Sequence, residues 1–132
     1  LSASDDCIVR NNKIINGRQG IILHGMPRKD YDKKYTLKNN LVEENLKINT
    51  QKEDIIIFAG EDSEGNKSDK NIFINERGKF ISSDTWSGKY FSLSQWQEQT
   101  SHDINSKFFK TTKQLPSAEE AFVEWLKNRN KQ

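Results

Sequence analysis

Residues 8–25 read IVRNNKIINGRQGIILHG, and the doubled asparagine at Asn11-Asn12 decides the architecture. Ile8-Val9-Arg10 and Lys13-Ile14-Ile15 are short β-branched runs. A third run, Ile21-Ile22-Leu23, follows the polar corner Asn16-Gly17-Arg18-Gln19-Gly20. Asparagine is depleted inside strands, so a pair of them between two strand signals marks a place where the chain turns. It tolerates left-handed backbone angles at low cost. Equivalent Asn side chains on stacked strands can also bond one another up the stack.

A second segment overlays the first. Thr36 to Asn45 carries Asn39-Asn40, and Glu53 to Gly60 carries Ile55-Ile56-Ile57. The Asn doublets are offset by 28 residues and the apolar runs by 34. A weaker third copy starts at Asn71-Ile72-Phe73-Ile74 and continues through Lys79-Phe80-Ile81. Self-similarity on this scale marks a stacked architecture, and no copy shows the 3.6-residue periodicity of a helical repeat. Strand units that cannot bury their apolar face alone must stack, each ~4.8 Å above its counterpart. The expectation is a mostly β chain forming a parallel β-solenoid. A hairpin sheet with Asn/Gly turns is the competing arrangement.

Composition agrees with a thin core. Of 132 residues, 33% are hydrophobic and 30% charged, with a mean hydropathy of −0.92. Thirteen aromatics argue against a disordered chain. Twenty-one basic and 19 acidic residues nearly balance, which makes no case for nucleic acid. The single cysteine, Cys7, rules out an internal disulfide and reads as a small apolar residue at a strand start. No apolar run reaches the ~18 residues of a membrane span. The first residue is Leu and no signal peptide is visible, so the chain reads as beginning inside a longer or processed polypeptide.

Met26 to Lys34 and Glu61 to Lys70 read as polar insertions between copies. After Ile81 the pattern changes. Ser92 to Gln99 predicts a short helix with Ser near its N-cap, and Ser101 to Ser106 turns back. Ser117 and Glu120 form a capping-box pattern. Ala118, Ala121, Phe122, Trp125 and Leu126 then make one apolar stripe, predicting an amphipathic helix over 118–128 that covers strand edges. The expected division is 1–109 for coils and exit segment, and 110–132 for a linker and capping helix.

The pattern xVxNNxIxNxxxGIxLxG at Ile8–Gly25 resembles right-handed parallel β-helix proteins of carbohydrate metabolism. FSLSQWQEQTSHDINSKFF, Phe91 to Phe109, resembles the exit segment by which such chains leave their last coil. The order GIILHGMPRKDYDKKYTLKNNLVEENLKI … IIIFAG is similar to the late coils of the chondroitinase-B and alginate-lyase family. The resemblance covers roughly Cys7 to Phe109. It implies a right-handed parallel β-helix of about three coils, a C-terminal portion of a secreted or periplasmic enzyme. Such an enzyme cleaves alginate or glycosaminoglycan by β-elimination: a base takes the C5 proton while a cation or Ca²⁺ neutralises the uronate. No matching Lys, Arg and acidic cluster occurs here, so the resemblance places the catalytic residues, and any Ca²⁺, outside this chain.

Candidate substrate contacts are Arg18, His24, Arg28, Lys29 and Tyr31. With Leu23 inward, His24 faces outward. Arginine pairs bidentately with carboxylates and an aromatic stacks on a sugar ring, so the group suits acidic polysaccharide. A solvated loop with one surface histidine is the plain alternative. Counted from Asp62, EF-hand positions 6 and 12 hold Lys67 and Phe73, which excludes that motif; an irregular Ca²⁺ loop at Asp62–Asp69 stays open, and Asn66-Lys67-Ser68 matches a glycosylation sequon. His102 and Asp103 are too close in sequence to form a triad by themselves. Trp86 and Tyr90 suit either a sugar platform or the cover of the last coil. The second functional class is a non-catalytic carbohydrate- or protein-binding module of adhesin, tail-fibre or toxin-neutralising type. In either class the open first coil calls for an N-terminal segment or a second chain to cover it.

Overall fold

A computed structural model of the 132-residue chain describes residues 4–24, 36–57, 63–77, 80, 82–83, 90–110, 120, 123 and 127. These residues are mostly β, with parallel strands in sheets and one short helix. In chain order the elements are β1 (Ile8–Arg10), β2 (Lys13–Ile15), β3 (Ile21–Leu23), β4 (Leu37–Lys38), β5 (Leu41–Glu43), β6 (Leu46–Ile48) and β7 (Ile55–Ile57). They continue with β8 (Ser63–Glu64), β9 (Lys67–Asp69), β10 (Ile72–Ile74), β11 (Ser82–Ser83), β12 (Tyr90–Phe91), α1 (Leu93–Thr100) and β13 (Lys107–Phe109).

The strands fall into rows. Those of the first row, β1, β2 and β3, lie parallel against β5, β6 and β7, and these lie against β9, β10 and β11. β13 adds a fourth strand beside β10, and β4 pairs with β8. Among the described residues the exception to parallel pairing is β12, which runs antiparallel to β11.

Local chemistry sets the corners. Asp6, Asn11 and Asn16 in the first row, and Asn39, Glu44 and Asn49 in the second, all have positive φ between 52° and 59°. Each ends a short strand or precedes one, so the strands stay at two or three residues. After the corners at Asn11, Asn39 and Glu44 the next residue is a ladder Asn. Asn12 accordingly bonds Asn45, 33 residues on, and Asn45 bonds Asn71, 26 residues on. The first Asn of the doublet turns the chain, and the second ties it to the next row.

This corrects the offset read from the sequence. Asn11-Asn12 does not stack on Asn39-Asn40. Asn40 lies beneath Cys7, whose N–H it accepts at 3.0 Å, and donates to Asn66. The two doublets do the same work at different corners. The apolar offset holds, since Ile21 pairs with Ile55. A second correction concerns Glu61–Lys70, read as a loop: Ser63–Glu64 and Lys67–Asp69 within it are strands. Their polarity hid them, because Ser68 and Asp69 are buried through hydrogen bonds rather than apolar contact.

The main core joins Leu23, Leu37, Val42, Ile55, Ile57, Phe73, Phe91 and Trp96, with Phe80 edge-on to Phe73 at 4.7 Å. A second cluster of Leu46, Ile48, Ile72 and Ile74 occupies the opposite face of β6 and β10. The helix α1 begins as expected. Ser92 is its N-cap, forming a capping box with Gln95, and Ser101 closes it in the left-handed region. The expected helix over 118–128 lies largely outside the described residues; Glu120, Val123 and Lys127 are helical and exposed. No helix among the described residues is long and apolar enough to cross a membrane.

Candidate functional site

The site begins at the corner between β2 and β3. Gly17 and Arg18 offer their carbonyls to the N–H groups of Gln51 and Lys52, both at 2.9 Å, while Gly20 donates to Glu53 at 2.8 Å. A Cβ on Gly20 would lie 2.0 Å from the Asp54 carbonyl oxygen, so only glycine allows this approach. The corner is thereby pressed against residues 51–54 with Arg18 exposed on its outside. Beside it, Gln19 Nε2 donates to Glu53 Oε2 at 3.0 Å.

At the other end of β3, Leu23 is fully buried and His24 is half-buried. Burial holds the His24 imidazole below its ordinary pKa, so it is neutral at pH 7. Arg18 and His24 bracket a strand of roughly 10 Å. They present one permanent cation and one neutral imidazole at separate points rather than one converged pair. Arg28, Lys29 and Tyr31 lie outside the described residues, as does Trp86. Among the described residues no three His, Cys, Asp or Glu side chains converge as metal ligands.

A buried polar centre went unread in the sequence. Lys47 points into the main core from β6, in the column Ile14, Lys47, Phe73, Phe108 set by the strand register. Its ammonium has no solvent exposure, donates to the Asp54 carbonyl oxygen at 2.9 Å, and sits 4.7 Å from the centre of the Phe73 ring. Loss of hydration pulls its pKa down to about 8, with Asp103 and Asp54 opposing the fall. The stretch Leu46-Lys47-Ile48 conceals this, because its apolar neighbours invite the opposite facing.

Asp103 closes the far end. Its Oδ1 accepts from Ser68 Oγ, Asn71 Nδ2 and Ser106 Oγ at 3.0, 3.1 and 2.6 Å, and its Oδ2 accepts from Trp96 Nε1 at 3.0 Å. The neighbouring His102 accepts the Ser68 N–H through Nδ1 at 3.2 Å and packs against Trp96 with ring centres 5.0 Å apart. Burial lowers its pKa too, with Asp103 opposing. His102 and Asp103 thus serve as the end cap of β9 and the Asn ladder.

Between neighbouring strands, Arg10 pairs with Glu43 and approaches Glu44 at 3.7 Å, and Lys38 pairs with Glu64 at 3.0 Å. No family model, curated protein or solved structure matches the chain.

Proposed function

We propose that this chain forms the C-terminal coils of a right-handed parallel β-helix protein, secreted or periplasmic, that acts on alginate or a glycosaminoglycan by β-elimination. Its own part is scaffold and substrate contact, with the proton-abstracting base and any Ca²⁺ held elsewhere in the protein. The observation that carries the reading is the in-register parallel pairing of successive rows, tied by Asn12, Asn45 and Asn71. A chain that returns to the same three strand positions after each Asn-bearing corner is what a β-helix repeat requires. Parallel crossovers in one sheet are right-handed in the great majority of proteins.

On such a scaffold one lateral face is a long, regular track suited to an extended polymer. Arg18 offers a bidentate partner for a uronate carboxylate, and neutral His24 offers a hydrogen bond further along. Arg28, Lys29 and Tyr31 follow directly in sequence and complete the proposed set.

The test is calorimetric titration of the chain with a uronate hexasaccharide and with a neutral hexasaccharide of the same length. Binding of the acidic sugar alone, weakened about tenfold by Arg18→Ala and less by His24→Ala, is the expected result. Equal affinity for the neutral sugar, or indifference to both substitutions, refutes the substrate assignment. Unsaturated product released by this chain alone, followed by ultraviolet absorbance, refutes the placement of the chemistry outside it.

A further inference from the structure

The far end of the stack is closed from within the chain, by the segment that leaves it. Ser68 sits at the centre of β9 and is fully buried, although among the described residues no strand lies beyond β9 in its sheet. Both of its main-chain groups are satisfied from the turn after α1. Its carbonyl accepts the Asp103 N–H at 2.6 Å, and its N–H donates to Nδ1 of His102 at 3.2 Å. An imidazole nitrogen thus takes the place that a main-chain carbonyl fills elsewhere in the stack, as where the Leu41 N–H donates to Cys7 and the Lys67 N–H to Asn40.

The rest of the turn is anchored around the same point. Ser106 Oγ accepts the Asn71 N–H at 2.9 Å, and Asn105 donates to both oxygens of Asp69 at 2.7 and 2.8 Å. From α1, Gln97 donates to the Asp103 carbonyl at 2.8 Å, while Trp96 donates to the Asp103 carboxylate and packs its ring on His102. Helix and turn are joined to each other and to β9 through this one patch.

His102 supplies the contact that a proton abolishes outright. Nδ1 accepts only while it is bare; an imidazolium has two donors and no acceptor. The charged groups around the ring are Asp103 in its own turn and Lys67 and Asp69 on β9, and α1 sets Trp96 against it. Burial lowers the pKa of the ring; Asp103 opposes the fall, Lys67 adds to it and Asp69 opposes it again. The ring is therefore neutral at pH 7. Once protonated it meets carboxylates that are already engaged, since Asp103 accepts from Ser68, Asn71, Ser106 and Trp96, and Asp69 from Asn105. Its Nδ1–H then points at the Ser68 N–H, and a buried main-chain donor loses its acceptor.

We propose that His102 is a proton-operated latch, which while neutral holds α1 and the 101–106 turn on the far edge of β9 and on protonation loosens them. One unpaired buried donor shifts the opening equilibrium of the patch by about tenfold to a hundredfold. Opening uncovers Ser68 and admits water to Trp96, while the rows tied by Asn12 and Asn45 stay paired. The latch uses no sugar contact and stands without the polysaccharide reading.

Nuclear magnetic resonance of the 15N-labelled full chain, titrated from about pH 7.5 to about pH 5, tests this across the histidine range. Long-range 1H–15N correlation reads the His102 ring, and amide exchange, scaled to the intrinsic rate at each pH, reads the backbone. A bare Nδ1 is expected at the start. The Ser68 and Asp103 amides should then lose protection about tenfold or more along the His102 titration, with a midpoint below 6.5. The Leu46 amide, bonded to the Asn12 carbonyl, should keep its protection. In His102→Gln the side-chain carbonyl accepts at every pH, so Ser68 should stay protected throughout. A ring that titrates while Ser68 and Asp103 keep their protection overturns the proposal, as does a proton already on Nδ1 at the start. Loss of protection at Leu46 in step with Ser68 overturns it in favour of global acid unfolding. The same acid opening in His102→Gln overturns it in favour of another titrating group. All but the last outcome are read on the parent chain, so a variant that fails to fold leaves the test intact.

Discussion

Lys47 allows the sharpest test of the core. The Lys47 ammonium, without solvent exposure, donates to the Asp54 carbonyl and lies over the face of the Phe73 ring. Its pKa falls from 10.5 to about 8. In the unfolded chain the group regains water and its ordinary value. The sign follows directly: between about pH 8 and 10.5 the unfolded state binds more protons than the folded one, so stability rises with pH across that window. Below it, the folded state bears the cost of a buried charge, roughly 3 kcal/mol for a shift of this size.

Lys47→Met removes that cost while nearly keeping the volume. It also removes the cation–π contact, worth about 1–2 kcal/mol in a dry site, and one hydrogen bond. The Asp54 carbonyl is not orphaned, because Ile21 N–H also donates to it at 3.2 Å. The variant is therefore expected to be about 1 kcal/mol more stable than the parent at pH 7 and to lose that advantage by pH 10.5. Urea denaturation of both proteins from pH 6 to 10.5 measures this, and their difference cancels every other titrating group. Parallel curves across the whole range would refute a buried, charged Lys47. So would a variant destabilised by several kcal/mol at pH 7.

Three further outcomes follow from the same geometry. Gly20→Ala puts a Cβ 2.0 Å from backbone at Asp54, so the corner must move, at a cost of about 3 kcal/mol or more in chemical denaturation. Asp103→Ala strands buried donors on Ser68, Asn71 and Trp96; a loss of roughly 3–5 kcal/mol is expected, with Trp fluorescence shifted to the red. His102 has a folded pKa below its unfolded value, so its contribution is complete above about pH 6.5 and is lost as the pH falls below that, where the unfolded state protonates first. His102→Gln should flatten the acid limb of a thermal melt followed between pH 7 and 5.

The sequence made the corners and the apolar strands legible because both rest on local chemistry. Positive φ favours Asn, and Ile21-Ile22-Leu23 against Ile55-Ile56-Ile57 is a matched apolar pair. The helix α1 was legible for the same reason, since Ser92 and Gln95 spell its cap. What stayed hidden depends on partners distant in the chain. Lys67-Ser68-Asp69 reads as loop until His102, Asp103 and Asn105 arrive 34 to 36 residues later to satisfy it. The register of 33 and then 26 residues could not be taken from matching doublets, because Glu44-Asn45 and Lys70-Asn71 do the work of Asn11-Asn12 with a charged residue at the left-handed position. The sequence reading turned His24 outward, whereas it is half-buried at the end of β3, and the burial of Lys47 left no local signal.

That exchange of partners also explains how so polar a chain folds. Asn45 is fully buried, yet its side chain accepts twice from Asn12 and donates to Val9, Glu43 and Asn71. Amide groups satisfied on both sides carry no desolvation penalty left over, so they can occupy space that a larger apolar core would otherwise fill. The consequence is that stability is passed from row to row and must be terminated. At the far end the terminating group is a carboxylate, Asp103, which accepts from Asn71 and donates nothing. An acceptor there ends a ladder whose amides donate forward, from Asn12 to Asn45 and from Asn45 to Asn71.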